Sequence, residues 1–375
     1  MNPTQTPNLF HQRQARLATA LQLANLNALA LNPGPSLTYL TGLNFHLMER
    51  PVVALFQPHQ PLILILPNLE RAKLEDFPLP VQAYPFGENP VSWDSIFRQA
   101  AAALENPAVI GVEPTRLRFL ELHLLQNALP NAEFISAAPM LADLRMSKDA
   151  AELAAMRTAT EIAEAALLAT LPAIRPGISE RALASELTLQ LLKHGSDPEL
   201  PFNPIVAAGP NSANPHAAPT DRLLQTGDLL IIDWGASHRG YFSDLTRTFA
   251  IGTVTAELAH IAEVVQRANR AAFATAQAGI AAGAVDRAAR AVIEQANYGE
   301  FFTHRTGHGL GLEAHEPPYL FGENESPLVP GTTFTIEPGI YLPGRGGVRI
   351  EDDVVITTAG CESLSNLPRE LKVLP

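Results

Sequence analysis

The feature that most constrains the fold is a run of four apolar residues, 229–232, that ends in an acid, Asp233. A wholly apolar run of this length is typical of a buried strand. A second acid, Asp244, follows on the next extended segment, after a turn at Gly240. Carboxylates at the ends of buried strands cost free energy unless a cation meets them. Residues 228–244 therefore predict a cation site built on a sheet.

Three more candidate ligands follow downstream. His308 stands between two glycines, Glu337 precedes Pro-Gly, and Glu351 lies in the strand-like segment GVRIEDDVVIT. Taken singly, each of the five residues also fits a polar strand end, a loop histidine or a solvated acid. Their joint occurrence at strand ends and glycine turns favours one shared site. Four carboxylates and one imidazole suit a pair of divalent ions, with Mn, Co, Fe and Zn all conceivable.

These ligands predict a two-metal hydrolase. Asp244 and Glu351 are expected to bridge both ions, because a bridging carboxylate must reach two metals at once. Asp233 is expected to bind one ion, and His308 with Glu337 the other. Ions about 3.5–4 Å apart share a water and lower its pKa, so that a metal-bridged hydroxide attacks the substrate carbonyl. Glu337 would take the proton of that water as general base.

Further polar residues are predicted to act beside the ions. His315 would donate to the oxyanion and His216 to the substrate or the leaving nitrogen, although a lone loop histidine is more often solvated. Arg349, two residues before Glu351, would point the same way along a strand and form a forked bond to a ligating carboxylate. The alternative for Arg349 is an ordinary strand salt bridge. The hydroxyls of Thr246 and Thr335 would support the ligands by hydrogen bonding. No role is assigned to His238 or His304.

Size and composition narrow the class of protein. The chain has 375 residues, enough for two domains, and its 46% hydrophobic and 17% charged residues are ordinary for a folded soluble protein. The formal net charge of −12 argues against nucleic acid or an anionic membrane as a partner. Cys361 is the single cysteine, and residues 1–17 lack the apolar core of a signal peptide. A cytoplasmic protein is therefore expected.

The pattern of elements changes around residues 143–148, and we predict a domain boundary between residues 143 and 144. Residues 1–143 predict a small α/β domain. It has an opening helix from residue 9 to about 30, and strands at ALALN, SLTYLTGL, VVALF and LILILP. Residues 144–375 begin with a long Ala- and Glu-rich helix, residues 150–171. Acid-bearing strands occur before and after a later helix pair, which predicts an α+β domain with two similar halves.

Five segments resemble the metallopeptidases of the pita-bread fold, and more narrowly the prolidase and aminopeptidase P group. They are AAGPNSANPHAAP, IIDWGASHRGYFSDLTRTF, HRTGHGLGLEAHEPP, FTIEPGIY and GVRIEDDVVI. All five ligand positions and the two family histidines, His216 and His315, match. The resemblance covers roughly residue 147 to the end and implies a pita-bread catalytic domain with pseudo-twofold halves. YLTGL and ERP in the first part resemble the creatinase-type α/β domain.

This resemblance implies hydrolysis of Xaa-Pro imide bonds with two divalent ions per subunit, Mn or Co ahead of Zn or Fe. Total length favours a prolidase, which cleaves Xaa-Pro dipeptides. An aminopeptidase P acting on longer peptides is the alternative. A non-catalytic peptide-binding module is disfavoured because all five ligands are retained, and a creatinase because creatinases lack the metal set. A methionine aminopeptidase is disfavoured because it resembles only the C-terminal half.

Recognition of the substrate carboxylate is the open question. Some prolidases carry an arginine shortly after the second histidine motif, where this chain has Tyr319. Members of the group are typically homodimers in which an N-terminal loop of one subunit covers the partner's site. The loop with His46, Glu49 and Arg50 would serve here. Tyr319 and an Arg50 supplied across the dimer are thus predicted substrate contacts.

Overall fold

The structure, a computed structural model, describes residues 6–375, which form two compact units. The first unit ends at Arg145 and the second begins at Met146. The predicted division between residues 143 and 144 falls inside the helix Ala138–Met146. Residues 1–5, part of the stretch in which we find no signal-peptide core, lie outside the described residues. Within residues 6–375, no helix combines the length and the apolar character that a bilayer crossing needs.

The first unit is an α/β structure with one six-stranded sheet. Its strands are β1 (Ala28–Leu31), β2 (Val53–Phe56), β3 (Leu62–Pro67), β4 (Val81–Phe86), β5 (Val109–Val112) and β6 (Glu133–Ser136). Its helices are α1 (Thr6–Leu23), α2 (Pro35–Thr41), α3 (Trp93–Ala101), α4 (Phe119–Ala128) and α5 (Ala138–Met146). The strand order is β4-β3-β2-β1-β5-β6, and apolar residues of the central strands pack against α3 and α4. The predicted α/β class is confirmed for this unit.

Two predicted elements of the first unit are wrong. The segment SLTYLTGL is not a strand but the helix α2, because Pro35 occupies its first turn and Gly42 ends it with a left-handed φ of 75°. The opening helix does not reach residue 30, since α1 ends at Leu23. The following residues form β1, which pairs with both β2 and β5 in the middle of the sheet. Burial in the sheet thus overrides the helix propensity of these Ala and Leu residues.

The second unit carries four long helices and several short sheets. The helices are α6 (Ala150–Thr170), α7 (Glu180–Lys193), α8 (Ala256–Thr275) and α9 (Ala282–Gln295). The strands of the first half are β7 (Ile205–Ala208), β8 (Leu229–Trp234), β9 (Ser237–His238), β10 (Tyr241–Phe242) and β11 (Leu245–Ile251). Those of the second half are β12 (Gly307–Gly309), β13 (Glu316–Leu320), β14 (Thr333–Ile336), β15 (Gly339–Leu342), β16 (Gly346–Arg349), β17 (Asp352–Thr357), β18 (Gly360–Ser363) and β19 (Lys372–Leu374).

Each half of the second unit buries a helix pair against a sheet. Helices α6 and α7 pack their apolar residues on β7, β8 and β11, within the sheet β19-β11-β8-β7. Helices α8 and α9 do the same on β14, β15 and β17, two of which belong to the sheet β13-β12-β14-β17-β18. Capping residues set the helix starts, since Asp149, Ser179 and Thr255 each accept a backbone N–H at the first turn of α6, α7 and α8.

The predicted strand GVRIEDDVVIT is interrupted. Strand β16 ends at Arg349 and pairs with β15, whereas β17 begins at Asp352 and pairs with β14. Glu351 lies between the two strands and is joined to Thr246 of β11 by an isolated bridge. The chain therefore leaves one sheet and enters another beside the predicted ligand Glu351.

Candidate metal centre

The acids of the first half lie where β8 and β11 pair antiparallel. Asp233 is opposite Thr246 in this ladder, and Asp244 immediately precedes β11. Glu351 reaches the same place because its backbone N–H donates to the Thr246 carbonyl at 3.1 Å. All three carboxylate residues are buried, with relative exposures of 8% for Asp233, 5% for Asp244 and 2% for Glu351. The strand pairing alone therefore brings together acids that lie far apart in the sequence.

The other two candidate ligands come from the second half. His308 is the central residue of β12, and Glu337 follows the last residue of β14. The backbone N–H of His308 donates to the Thr335 hydroxyl at 3.2 Å, and that hydroxyl donates to Glu337 Oε1 at 3.1 Å. The Glu337 N–H donates to the Thr306 carbonyl at 2.8 Å. Thr335 thus fixes both ligands, in the supporting position that the sequence predicts for it.

Ligand atoms of the two halves converge into three overlapping groups, in each of which the atoms lie within 4.8 Å of one another. The groups are Asp233 with Asp244 and Glu351, His308 with Glu337 and Glu351, and Asp244 with His308 and His315. Asp244 and Glu351 each belong to two groups. His308 Nε2 lies 3.3 Å from Glu337 Oε1 and 3.7 Å from Asp244 Oδ2. The geometry thus suits two adjacent cations that share two carboxylates.

The crowded acids strongly favour a cation between them. Burial and then the neighbouring acids, Glu351 first for Asp244 and Glu337 first for Glu351, raise the pKa of both carboxyls well above their usual range. Burial is also the main cause that raises the pKa of Glu337 to about 7. Burial lowers the pKa of His308 to about 3, so this imidazole is neutral and able to bind a metal.

The surroundings of two ligand atoms, Asp233 Oδ1 and His308 Nε2, show whether the site fits a metal. Among the residues that the structure describes, Asp233 Oδ1 is buried and has no hydrogen-bond partner. The ring Nδ1 of His308 lies 3.1 Å from the Gly309 carbonyl, so Nδ1–H donates there and Nε2 faces the acids as a lone pair. An orphaned carboxylate oxygen and a correctly oriented imidazole are the donors that a divalent ion needs. The residues present therefore fit a divalent metal.

Arg349 contacts the ligands, but not as predicted. Its Nη2 donates to Asp233 Oδ2 at 2.5 Å, and its Nε donates to the Thr246 hydroxyl at 3.1 Å. The Nε of Arg349 is 3.9 Å from Glu351 Oε2. The forked bond to one carboxylate is thus wrong, because the chain bends out of the β16 strand between Arg349 and Glu351. The Thr246 hydroxyl closes the gap by donating to Glu351 Oε2 at 2.6 Å.

Sequence reasoning missed Asp353, a positioning residue for the centre. Its side chain is fully buried, and its Oδ2 accepts the backbone N–H of Asp244 at 3.0 Å. The three successive acids after Ile350 are all buried and have different partners. Glu351 faces the site, Asp352 pairs with two guanidiniums, and Asp353 holds Asp244. Acids in three consecutive buried positions were the available signal, since a solvated run would not sit within an apolar strand.

His304, unassigned from the sequence, belongs to a buried network behind the ligands. Its Nδ1 lies 2.7 Å from the Arg305 carbonyl, and its Nε2 lies 2.8 Å from the Tyr341 hydroxyl. Burial lowers the pKa of His304 to about 4, so the ring is neutral, donates from Nδ1 and accepts at Nε2. Arg349 Nη1 donates to the same Tyr341 oxygen at 3.0 Å. The network therefore links Arg349 to the turn that precedes His308.

The remaining predicted contacts lie around this cluster. The His315 ring is exposed, and its centroid is 4.0 Å from that of His308. His216 is exposed, and its charge is one of the contributions that lower the pKa of Asp233, which burial raises overall. Tyr319 is opposite His308 in the pairing of β12 with β13. Arg50 lies in the first unit, where it pairs with Glu88 at 2.7 Å, and its proposed contact with a second subunit stays a prediction.

Three buried carboxylates, the partly buried Glu337 and one buried imidazole come together from the two halves of the second unit, and such a ligand set is that of a metal-dependent hydrolase. The chain belongs to metallopeptidase family M24, which matches residues 154–358. Residues 13–147 match the creatinase/prolidase N-terminal domain. These matches confirm the predicted class, a metallopeptidase with a creatinase-type first domain and a pita-bread catalytic domain.

Individual relatives narrow the comparison. The chain is 37% identical to an Xaa-Pro dipeptidase of Lactobacillus delbrueckii subsp. lactis, over 82% of this chain and 83% of the relative. It is similar to the crystal structure of dipeptidase PepE from Mycobacterium ulcerans, with TM-score 0.90, 36% identity and coverage of 98% and 99% of the two chains. An X-Pro aminopeptidase from Thermotoga maritima matches with TM-score 0.85, 31% identity and coverage of 96% and 99%.

Proposed function

We propose that this protein is an Xaa-Pro dipeptidase that uses two divalent ions, Mn or Co ahead of Zn or Fe. The observation that carries the proposal is that three residues, Asp244, Glu351 and His308, each belong to two of the three ligand groups, and that two of them are carboxylates with two oxygens to offer. Shared carboxylates are what a pair of ions needs, and membership of family M24 supports peptide hydrolysis at that pair. The dipeptidase names among the relatives support the substrate class.

Each residue of the candidate metal centre has its own proposed role. Asp233 would hold one ion and His308 with Glu337 the other, while Asp244 and Glu351 would serve both. When bound, such ions lower the pKa of water and polarise a carbonyl. Oε1 of Glu337 is engaged by Thr335, which leaves Oε2 to receive the proton as the water attacks.

Two exposed histidines would complete the reaction. His315, beside His308, would donate a hydrogen bond to the oxyanion as the carbonyl becomes tetrahedral. His216 would donate to the substrate or to the leaving prolyl nitrogen. The imide nitrogen of proline carries no hydrogen, and its ring fixes the backbone, so ordinary peptidase contacts to that residue are unavailable. A dedicated site is therefore reasonable.

An aminopeptidase P is the second candidate. The similarity to the solved X-Pro aminopeptidase favours it, as does the uncharged Tyr319 at the position where some prolidases carry arginine. Such an enzyme would accept longer peptides with proline in the second position. It would use the same ligands and differ only in what surrounds the prolyl carboxyl group.

We further propose a cytoplasmic homodimer, with Arg50 of each subunit placed over the partner's site. The guanidinium of Arg50 now pairs with exposed acids, Glu49 and Glu88, so it is free to exchange partners at low cost. Substitution Arg50→Ala should weaken dipeptide binding without changing metal content. An unchanged preference for dipeptides in this variant, or in a monomeric form, would contradict the arrangement.

The decisive assay compares Met-Pro with a Met-Pro-Yaa tripeptide on the full chain, metal-free and reloaded with Mn or Co. A dipeptidase should cleave Met-Pro only after reloading and should prefer it to the tripeptide. Preference for the tripeptide would favour the aminopeptidase. A protein that takes up neither ion at neutral pH would instead fit a peptide-binding module.

A further inference from the structure

The guanidinium of Arg305 forms no direct ion pair with an acid of the described chain, although its charge acts on the carboxylate of Glu337. Its guanidinium carbon lies 4.3 Å from the centroid of the Tyr319 ring, in cation–π geometry. The residue is only partly exposed, and no acid or carbonyl of the described chain accepts a hydrogen bond from its guanidinium. Arg349, by contrast, is fully engaged by Asp233, Thr246 and Tyr341. Arg305 thus retains its N–H donors for a group that is not part of the protein.

The location of Arg305 is the rim of the metal centre. It follows His304 and precedes Thr306, whose backbone N–H and hydroxyl both donate to the buried Asp286. The ring beneath the guanidinium, Tyr319, is opposite the ligand His308 in the pairing of β12 with β13. The backbone under Arg305 is therefore anchored, and its side chain is held beside a metal ligand.

Arg305 lies beside the reacting groups. Its ring partner Tyr319 is opposite the candidate ligand His308 in the pairing of β12 with β13. The His315 ring lies next to His308, with centroids 4.0 Å apart. An anionic substrate group that enters beside these histidines therefore meets the Arg305 charge.

We propose that Arg305, supported by Tyr319, binds the free carboxylate of the proline in a dipeptide substrate. This inference rests on the proposed function and deepens it, because it names a residue of the same subunit that selects dipeptides, in addition to the proposed Arg50 across the dimer. A guanidinium presents paired N–H donors that match the two oxygens of a carboxylate, and stacking on a ring fixes the plane of that fork. A longer peptide offers a neutral amide at the same place and loses the charge pairing.

The proposal also explains why Tyr319 stands where some prolidases carry arginine. The positive charge would be supplied from the loop before β12 by Arg305, which stacks on the tyrosine ring. Tyr319 is then a positioning residue. Substitution Tyr319→Leu removes the ring but not the charge, and it should reduce the preference for dipeptides only partly.

The test compares three substrates on the Mn-loaded full-length protein: Met-Pro, Met-Pro-amide and Met-Pro-Ala. Substitution Arg305→Gln should lower kcat/KM for Met-Pro by about 10- to 100-fold, mainly through KM, and leave the amide and the tripeptide nearly unchanged. For Arg305→Lys, kcat/KM for Met-Pro should lie between the values of the wild type and of Arg305→Gln, because lysine keeps the positive charge but not the paired N–H donors. Arg181→Gln is the matched control, since Arg181 is 63% exposed and pairs with the surface acid Asp221.

A binding measurement gives a readout that does not depend on turnover. Calorimetric titration with L-proline and with L-prolinamide should show that the wild type prefers the acid and that Arg305→Gln abolishes this preference. The ratio of the affinities for L-proline and L-prolinamide is measured within one preparation, so a reduced fraction of folded protein does not alter this ratio.

The outcomes separate the two claims. If Arg305→Gln reduces kcat/KM equally for Met-Pro and Met-Pro-amide, or spares both, Arg305 does not bind the carboxylate, while the peptidase assignment stands. If the wild type prefers the tripeptide, the dipeptide-selecting role is overturned in favour of an aminopeptidase. If the wild type cleaves none of the substrates in the presence of Mn or Co, the proposed function fails and this inference fails with it.

Discussion

The guanidinium of Arg349 bonds Asp233 Oδ2 at 2.5 Å from Nη2, and through the Thr246 hydroxyl it also orients Glu351. The Arg349 side chain therefore orients two candidate ligands, Asp233 and Glu351, that come from distant segments of the chain. Partners of this kind fix the geometry of the metal ligands, and their loss typically reduces metal affinity by about 10- to 100-fold. The bond from Arg349 to Asp233 and the bond from Thr246 to Glu351 can each be removed by a separate substitution.

Substitution Arg349→Met should weaken Mn binding by about 10- to 100-fold, because Asp233 loses its orienting partner. In metal-free protein it should also destabilise the fold by about 3–5 kcal/mol, since a buried acid is left without its counter-charge. Calorimetry and urea unfolding measure the two effects. Arg181→Met is the control and should change neither. Unaltered Mn affinity in Arg349→Met would contradict the proposed role.

Thr246→Val should remove the hydroxyl that donates to Glu351 while preserving side-chain shape. The expected result is a fall in Mn affinity of about tenfold or more with a small loss of stability. Thr246→Ser keeps the hydroxyl and should restore most of the affinity. Equal behaviour of the valine and serine variants in a Mn titration would show that the hydroxyl does not matter.

Asp244→Ala and Glu351→Ala should each abolish hydrolysis of Met-Pro and reduce bound Mn below two ions per chain, because each carboxylate is proposed to serve both ions. Elemental analysis and a peptidase assay check these outcomes. Glu263→Ala, on the exposed side of α8, is the matched control for loss of an acid. Near-normal turnover in Asp244→Ala or Glu351→Ala would contradict the proposal that these two carboxylates bridge both ions.

Stability should depend on pH in opposite ways with and without metal. Burial raises the folded-state pKa of Glu337 from 4.5 to about 7, and those of Asp244 and Glu351 rise in the same direction. The folded metal-free protein thus holds protons that the unfolded chain releases, so stability present at low pH is lost as pH rises through about 7. Metal binding needs the deprotonated acids and gains strength over the same interval.

The rise in Tm on adding Mn should therefore be larger at about pH 8 than at about pH 6. Parallel melts of the metal-free protein supply the baseline at each pH. A Mn-induced rise that is constant or shrinks with pH would contradict the assignment of these acids as ligands.

The sequence points to the candidate ligands, which the structure brings together, because their signal is local. Asp233 ends a wholly apolar run, and such a run becomes the buried strand β8. The helix α2 was not predicted in the same way, because β-branched and aromatic residues in SLTYLTGL favour a strand. Pro35 and Gly42, at its two ends, decide the outcome.

The partners of the ligands could not be predicted, because they depend on contacts between distant segments. Asp353 holds Asp244 across a sequence separation of 109 residues. The direction of Arg349 was inferred from a continuous strand, whereas the chain changes sheets before Glu351. Arg305 gave no signal in the sequence, since its proposed role depends on its stacking against Tyr319 and on its lack of a direct ion pair in the described chain.

The run of Glu351, Asp352 and Asp353 makes this strand intolerant of changes in length. An insertion of one residue before it would turn the guanidinium-bound acid towards the candidate metal centre and aim the candidate ligand Glu351 at Arg247. Residue identity alone would not reveal the damage, because three acids would still be present. Engineered loops or domain fusions in this half of the molecule therefore belong in the turn after Leu342, upstream of β16, where the backbone is exposed.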